Sequence, residues 1–236
     1  MPTPSTNGRS RPGTVLVTGG ASGLGAAVID AVAGAGGTPL CLDRRPPAQD
    51  VAYELVDLAD RRRAEAAVVA MADAAGGLDG VVTAAGMDAC GALADIPGEE
   101  WDRVVEVNLL GTAAVIRAAL PTLAGNHGTV VTVASTLGLR ALPEASAYCA
   151  SKFGIVGLTR ALAQELAGQI GVTLLAPGGM RTAFFDGRDE KYRPGPDAQL
   201  NQPGDVAAAV LFALCQPPGC ELRELVVTPS REPSWP

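Results

Sequence analysis

The sequence predicts an α/β fold in which a doubly wound parallel sheet of about seven strands is flanked by helices. Apolar, strand-like runs alternate with longer Ala-rich stretches of helical character along most of the 236 residues. The Val and Leu runs are continuous rather than alternating, as expected for strands that helices cover on both faces. Because parallel strands need crossover connections, this alternation favours one parallel sheet.

The predicted strands and helices follow one another in a regular order. The strands are Val15–Thr18, Leu40–Asp43, Glu54–Val56, Gly80–Val82, Thr129–Val133, Val172–Leu175 and Leu225–Thr228. The helices are Gly23–Ala33, Arg61–Ala75, Glu99–Leu120, Ala145–Ala167 and Asp205–Cys215. No linker or repeat interrupts them, so residues 13–236 are predicted to form one domain after a flexible N-terminal tail at 1–12.

One long segment, residues 181–203, shows neither helical nor strand periodicity and is rich in Gly, Pro and charged residues. Loops of this length inside a compact domain usually serve a function. We therefore predict that this segment is a lid over a substrate site.

Composition and charge exclude several classes of function. The net charge of −7 argues against a nucleic-acid-binding surface, which needs clustered Lys and Arg. The one basic run, Arg61–Arg63, is interpreted as the solvated first turn of a helix. The apolar runs are too short, or too often broken by Gly and Pro, to predict a membrane span, and residues 1–12 lack the apolar core of a signal peptide. We therefore expect a soluble cytoplasmic protein.

Neither a disulfide framework nor a metal site is predicted. The cysteines are five, an odd number, and no two of them form a Cys-x-x-Cys pair. With His127 as the one histidine, a His-based triad or a zinc site has almost no ligands available.

A glycine-rich turn, Thr18–Gly25, joins the first predicted strand to the first predicted helix. Glycines allow a tight turn and a close backbone approach to a pyrophosphate, and the free N–H groups at the helix N-terminus then face the negative charge. This turn favours nucleotide binding, although such turns are also found with a purely structural role.

The end of the second predicted strand carries Asp43, followed directly by Arg44. A carboxylate in this position accepts hydrogen bonds from ribose hydroxyls and repels a 2′-phosphate, which favours NAD over NADP. An adjacent arginine offers a partner for that phosphate, so NADP remains an alternative.

Tyr148 and Lys152 are four residues apart on a predicted helix and therefore share one face. An unperturbed tyrosine is ionised only about 0.1% at neutral pH, and a nearby cation favours its phenolate form. A phenol tuned in this way gives a proton to a carbonyl oxygen or takes one from an alcohol.

Two polar residues precede this pair. Ser135 follows the fifth strand, where its hydroxyl can orient a substrate oxygen. Asn108 lies in mid-helix, where Asn is a poor helix former, and predicts a local distortion with a water held between Asn108 and Lys152.

The order and spacing of these motifs, Thr-Gly-x-x-x-Gly-x-Gly and Tyr-x-x-x-Lys, resemble the short-chain dehydrogenase/reductase family over residues 14–228. The resemblance implies a Rossmann fold and a catalytic tetrad of Asn108, Ser135, Tyr148 and Lys152. It implies that NAD(P) contacts Gly19, Ser22, Gly23, Leu24, Asp43, Arg44, Asp57, Leu58, Ala84, Ala85, Gly86, Tyr148, Lys152, Pro177, Gly178, Met180 and Thr182. For Asp57 a plain alternative is that it caps the following helix.

The sequence departs from the family pattern after the fourth strand. The Asn-Asn-Ala-Gly element is Thr83-Ala84-Ala85-Gly86 here, so the side-chain hydrogen bonds that brace the central sheet are in doubt. Farther along, the Pro-Gly…Thr element is kept, and Thr182 is expected to bind the nicotinamide carboxamide.

The substrate site is expected to have an apolar wall. Its predicted members are Ser135, Leu137, Pro143, Tyr148, Phe184 and Phe185, with Met87, Leu139 and Met180 as further walls. The charges that follow in the lid either clamp an anionic group or are solvated, and solvation is favoured; they are Arg188, Asp189, Lys191 and Arg193.

The predicted function is the NAD(P)-dependent interconversion of a ketone or aldehyde and a secondary alcohol. The alternative is a non-catalytic nucleotide-sensing or scaffolding protein on the same fold. An epimerase or dehydratase of the extended relatives is disfavoured, since the chain ends before a separate substrate domain.

The helix Ala145–Ala167 carries more apolar residues than one core face requires, namely Phe153, Ile155 and Leu158, together with Gly154 and Gly157. This excess predicts burial against another subunit, in a homodimer or homotetramer built on this helix and the helix Glu99–Leu120.

Overall fold

The computed structural model describes residues 11–217 and 219–235, so nearly all of the predicted tail at 1–12 lies outside the described residues. The described chain forms seven strands: β1 (Thr14–Thr18), β2 (Thr38–Asp43), β3 (Ala52–Leu55), β4 (Gly80–Thr83), β5 (Thr129–Val133), β6 (Gly171–Pro177) and β7 (Glu224–Val227). They build one parallel sheet in the order β3-β2-β1-β4-β5-β6-β7. The predicted doubly wound sheet is therefore confirmed.

Helices cover both faces of this sheet. They are α1 (Gly23–Gly34), α2 (Arg61–Ala75), α3 (Gly98–Val105), α4 (Thr112–Gly125), α5 (Ser146–Glu165) and α6 (Pro203–Leu214). Helices α1 and α6 pack together over one apolar cluster, and α2 and α4 pack over another. Because the order of the strands reverses between β1 and β4, the loops after these strands diverge and leave a crevice at their carboxyl ends.

Two strands begin and end earlier than predicted. Strand β3 starts at Ala52 instead of Glu54, and β7 starts at Glu224 instead of Leu225. Both are edge strands, and all four residues of β3 are exposed. Each strand contains one glutamate beside its apolar residues, Glu54 in β3 and Glu224 in β7, so apolar character alone does not locate these boundaries.

The helix predicted at Glu99–Leu120 is longer and not uniform. Between α3 and α4 lies a π-helical segment, Glu106–Gly111, which produces the distortion expected around Asn108. The continuous helix Gly98–Gly125 is long and apolar enough to pass a test for membrane spans by length and composition alone, a test that buried core helices also pass. It is a core helix, since Val115, Ile116 and Leu123 are buried against the sheet.

Helix α5 uses part of its apolar surface within its own chain. Ile155 is buried in a cluster with Leu174, and Gly154 faces the side chain of Leu109, so these residues do not indicate a second subunit. Phe153 remains 45% exposed on the same helix. Association through α4 and α5 stays a prediction that now depends on Phe153.

Thr83 occupies the position where the family pattern has an asparagine. Its side chain is 2% exposed, and its hydroxyl oxygen has no hydrogen-bond partner among the described residues. The neighbouring Thr18 hydroxyl accepts a hydrogen bond from the backbone N–H of Ala85 at 3.1 Å. Bracing of this loop therefore comes from β1, and Thr83 does not provide it.

We expect Thr83→Val to leave the free energy of unfolding unchanged or to raise it by about 1 kcal/mol, because a buried hydroxyl without a partner opposes folding. Thr132, beside Thr83 on β5, provides a matched control. Its hydroxyl pairs with the Thr159 hydroxyl at 2.7 Å, so Thr132→Val should lower the free energy of unfolding by about 1–2 kcal/mol. Urea unfolding measures both, and an equal loss in the two variants would contradict the assignment.

Candidate active site

A cavity of about 1120 Å³ lies at the carboxyl ends of the central strands. Every residue predicted to bind the cofactor lines it, from the glycine-rich turn after β1 to Thr182 after β6. Ser135 and Tyr148 line it as well. The structure therefore brings together residues from nearly the whole length of the chain.

The glycine-rich turn fits tightly against the loop after β4. Gly19 has φ +70°, and a Cβ atom added to it would meet the backbone of Ala85. At Gly25 an added Cβ would meet the carbonyl of Gly19. Any side chain at either position would push the turn out of place, so the glycines hold the N-terminus of α1 at the cavity.

Asp43 lies at the end of β2 and fastens this turn. One carboxylate oxygen accepts a hydrogen bond from the backbone N–H of Ala21 at 3.0 Å, and the other accepts one from the N–H of Arg45 at 3.1 Å. The Arg45 guanidinium lies 3.5 Å from the Ser22 hydroxyl. Arg45, which lines the cavity beside Arg44, was not among the predicted site residues.

Asp57 does not cap the following helix, so that interpretation is wrong. The N-cap of α2 is Asp60, whose carboxylate accepts from the backbone N–H of Arg63 at 3.1 Å. Asp57 faces the cavity and pairs with Arg103 at 2.5 Å. Burial raises the pKa of Asp57, but the N–H of Ala59 and the Arg103 guanidinium lower that pKa overall.

Tyr148 and Lys152 stand on α5 beneath the cavity. The Lys152 ammonium lies 5.5 Å from the centre of the Tyr148 ring and donates a hydrogen bond to the backbone carbonyl of Val133 at 2.8 Å. Burial lowers the pKa of Lys152 to about 8, although the negative charge of Asp88 acts to raise that pKa.

The phenol of Tyr148 is held in its protonated form. Burial raises the pKa of Tyr148 above its ordinary value, and a hydrogen bond with Ser135 offsets only part of this effect. Desolvation is therefore the largest effect on this phenol, and the expectation that a nearby cation favours phenolate stays a prediction. A protonated phenol is the form that donates a proton to a carbonyl oxygen.

Ser135 also shapes its own loop. Its hydroxyl oxygen accepts a hydrogen bond from the backbone N–H of Leu137 at 3.1 Å and caps the short 3₁₀ helix Thr136–Gly138. A serine hydroxyl has two acceptor sites and one donor, so this cap leaves it able to bond with Tyr148 and with a ligand.

Asn108 sits behind the site and does not line the cavity. Its amide spans Met87, accepting from the backbone N–H and donating to the backbone carbonyl, both at 2.8 Å, and it donates to the Ser151 hydroxyl at 3.0 Å. A Cβ atom added to Gly86 would lie 3.5 Å from Asn108 and 3.7 Å from the Lys152 ammonium. Asn108 therefore fixes the loop after β4, and the predicted water between Asn108 and Lys152 stays a prediction.

The apolar wall differs in part from the prediction. Leu137, Phe184 and Phe185 line the cavity, and the rings of Tyr148 and Phe184 are 5.7 Å apart. Pro143 is exposed and lies outside the cavity wall, where Leu142 takes its place. The turn before α5 carries Pro143 outwards, a direction that sequence spacing does not reveal.

The prediction that the lid charges are solvated is wrong for Arg188. Its guanidinium pairs with Asp88 at 3.1 Å, and the two side chains are only 16% and 7% exposed. Lys191 does remain exposed, paired with Glu144 at 3.3 Å. The charge pattern of the lid does not reveal that Arg188 is buried and Lys191 exposed, because the partner of Arg188 is a hundred residues away in the chain.

The C-terminal segment packs against the loops that form the site. Gly179 donates a backbone hydrogen bond to the Glu232 carboxylate at 3.0 Å, and the hydroxyls of Ser234 and Thr136 pair at 2.7 Å. Nothing in the Pro-rich sequence after Thr228 predicts this contact.

No group of three or more His, Cys, Asp or Glu residues suited to a metal ion occurs within 11–217 and 219–235. All five cysteines are free thiols. Burial raises the pKa of the Cys41 and Cys90 thiols to about 11, so both remain protonated at neutral pH.

Comparisons with known proteins agree with this architecture. The short chain dehydrogenase family model matches residues 13–193. An uncharacterized oxidoreductase of Staphylococcus aureus is 30% identical over 91% of this chain and 96% of its own length. A glycine betaine reductase of Emericella nidulans is 32% identical over 92% of this chain, which spans only 19% of that protein.

Solved structures show the same fold. A short chain dehydrogenase from Burkholderia cenocepacia in complex with NADP is 28% identical, with a TM-score of 0.81 over 93% of this chain and 98% of that one. One from Mycobacterium paratuberculosis bound to NAD is 24% identical, with a TM-score of 0.82 over 93% and 97%. By the family model and the relatives that match most of its length, this chain belongs to the short-chain dehydrogenase family.

Proposed function

We propose that this protein is an NAD(P)-dependent oxidoreductase that interconverts a ketone or aldehyde and an alcohol, with Tyr148 as the general acid and base. One observation carries the proposal. The partly exposed Tyr148 and the buried Lys152 line the same cavity as the glycine-rich turn and Asp43. A proton-handling group and a nucleotide-binding turn thus face one continuous space.

The residues present fit a dinucleotide. The glycine-rich turn leaves backbone N–H groups at the start of α1, which suits a pyrophosphate. At the opposite side, Gly23 with φ +55° faces the methyl group of Thr182, so the turn and the segment after β6 approach each other closely. The neighbours bound to NAD or NADP support a nicotinamide cofactor here.

When bound, the nicotinamide ring gives hydride to the carbonyl carbon or accepts it from the alcohol carbon. Ser135 orients the substrate oxygen by a hydrogen bond. Tyr148 donates its proton to that oxygen in reduction and accepts it in oxidation. The Lys152 ammonium stabilises negative charge on the phenol, and Asn108 keeps the adjoining loop in place.

A non-catalytic role on the same fold is the competing function. A binding protein has no need for a tyrosine hydrogen-bonded to a serine above a buried lysine, and keeping the lysine ammonium buried is costly. The test is the change in absorbance of reduced nicotinamide with a panel of ketones, aldehydes and alcohols. Binding of NAD or NADP without turnover of any compound would favour the sensing role.

We further propose that NAD is preferred over NADP, and expect Asp43→Ala and Asp43→Asn to raise the NADP-to-NAD ratio of kcat/KM by about tenfold or more. Removing the carboxylate relieves repulsion of a 2′-phosphate, which Arg44 or Arg45 can then bind, and tenfold equals about 1.4 kcal/mol. Asparagine keeps an acceptor for the N–H of Ala21, whereas alanine does not. An unchanged ratio in both variants would show that Asp43 does not discriminate between NAD and NADP. If only Asp43→Ala bound both cofactors more weakly, the cause would be the lost hydrogen bond to the glycine-rich turn.

A further inference from the structure

Asp88 and Arg188 form a buried charged site at the substrate end of the cavity. The Arg188 guanidinium lies 3.1 Å from one oxygen of Asp88, and its central carbon lies 4.6 Å and 4.7 Å from the ring centres of Phe184 and Phe185. A planar cation is thus held between one carboxylate and two aromatic faces. Carboxylates and ring faces both attract cations.

Asp88 is the fixed half of this pair. It follows the loop after β4, where the amide of Asn108 holds both backbone groups of the preceding Met87. Arg188 belongs to the irregular lid segment, and its long side chain can turn towards solvent by changes of rotamer. Arg188 is therefore the partner that a ligand can displace.

One oxygen of the Asp88 carboxylate remains without a partner among the described residues. The other oxygen interacts with Arg188 and accepts a hydrogen bond from the Cys90 thiol at 3.3 Å. Because the side chain is only 7% exposed, little water can compensate the free oxygen. Such an oxygen favours a ligand that brings a charged donor and disfavours one that brings a second carboxylate.

The site is close to the reacting groups. The Phe184 ring lies 5.7 Å from the Tyr148 ring and 4.6 Å from the central carbon of Arg188, so it joins the two sites. Asp88, Tyr148 and Lys152 all line the same cavity. A substituent on a small substrate whose oxygen meets Tyr148 can therefore reach Asp88.

We propose that Asp88, Phe184 and Phe185 bind a positively charged nitrogen on the carbonyl or alcohol substrate, and that Arg188 occupies this position until the substrate displaces it. The substrate class is thus an amino ketone, an amino aldehyde or an amino alcohol. The inference rests on the proposed function, which assigns the adjoining Tyr148 to the substrate oxygen.

Three probes of similar size test the charge that the site prefers: 4-amino-2-butanol, 2-pentanol and 3-hydroxybutyrate. Their binding to the enzyme with NAD or NADP is measured by calorimetry, and their turnover by the absorbance of reduced nicotinamide. The amine should bind about tenfold more tightly than either of the others, as expected for one charge-assisted hydrogen bond. The two readouts separate the proposals, because binding tests the charged site and turnover tests the chemistry.

Variants identify the groups responsible. Asp88→Asn should reduce the ratio of amine to 2-pentanol affinity about tenfold, and Arg188→Met should raise that ratio because the competing cation is gone. Glu190→Gln, which changes an exposed carboxylate of the same lid outside the cavity wall, should leave the ratio unchanged.

Three results would overturn the inference: no preference for the amine in the unaltered protein, an unchanged ratio in Asp88→Asn, or tightest binding of 3-hydroxybutyrate that Arg188→Met abolishes. The last result would assign Arg188 as an anion site. Turnover of 2-pentanol without a preference for the amine would leave the oxidoreductase proposal standing alone. Binding of the amine without turnover of any probe would instead support the charged site and count against the chemistry.

Discussion

Tyr148→Phe is expected to reduce kcat by about 10²–10⁴, the range that a positioned acid or base contributes. The substitution removes one hydroxyl and keeps the ring that packs 5.7 Å from Phe184, so the cavity should keep its shape. Burial favours the protonated form of the Tyr148 phenol, which is hydrogen-bonded to Ser135. The substrate oxygen would then have no proton donor.

Cofactor affinity provides the discriminating measurement for this variant. Losing one neutral hydrogen bond costs about 1 kcal/mol, so the Kd for NAD or NADP should change by no more than about fivefold. Tyr53→Phe, on the exposed edge strand β3, serves as the control and should behave like the unaltered protein. A variant that keeps its turnover, or that loses cofactor binding along with it, would argue against Tyr148 as the proton donor.

Much of the fold was predictable because its signals are local and repetitive. Continuous apolar runs located the five central strands to within a few residues, since strands buried on both faces must be apolar throughout. The edge strands were located about as closely, β3 two residues and β7 one residue late at their starts, although all of β3 is exposed. A local distortion was also predicted here, since Asn108 is an unfavourable residue in the middle of a helix, but its π-helical form was not.

The substrate end of the site was much harder to predict. Pairing of Arg188 with Asp88 joins residues that are far apart in the chain, and neither belongs to a motif. The contact of Glu232 with Gly179 depends in the same way on where an irregular segment folds back. Motif spacing predicts groups that are fixed by one strand-to-helix unit, whereas contacts between loops require the folded structure.

Lys152→Met is expected to lower kcat by about 10² or more and, unlike Tyr148→Phe, to weaken cofactor binding as well. The family resemblance places Lys152 against both the phenol and the cofactor, and its ammonium lies 5.5 Å from the Tyr148 ring. Methionine fills a similar volume without the charge, so negative charge on the phenol loses its nearest cation. Arg160→Met, which removes an exposed cation from the same helix outside the cavity, is the control and should retain its kcat. Equal losses in the two variants would point to a general effect of charge.

Stability against pH offers a second test of Lys152, independent of turnover. The folded protein releases this proton with a pKa of about 8, whereas the unfolded chain releases it near 10.5, so burying the charged form opposes folding at neutral pH. This cost is fully present below pH 8 and is relieved as the pH rises towards 10.5. Between pH 7 and 10 the unaltered protein should therefore gain about 2 kcal/mol of unfolding free energy relative to Lys152→Met. Because Tyr148, Cys41 and Cys90 titrate in both proteins, their contributions largely cancel in this difference. A difference that stays flat over this range would mean that Lys152 keeps its ordinary pKa in the folded protein, and that its ammonium is less desolvated than its position beneath Tyr148 implies.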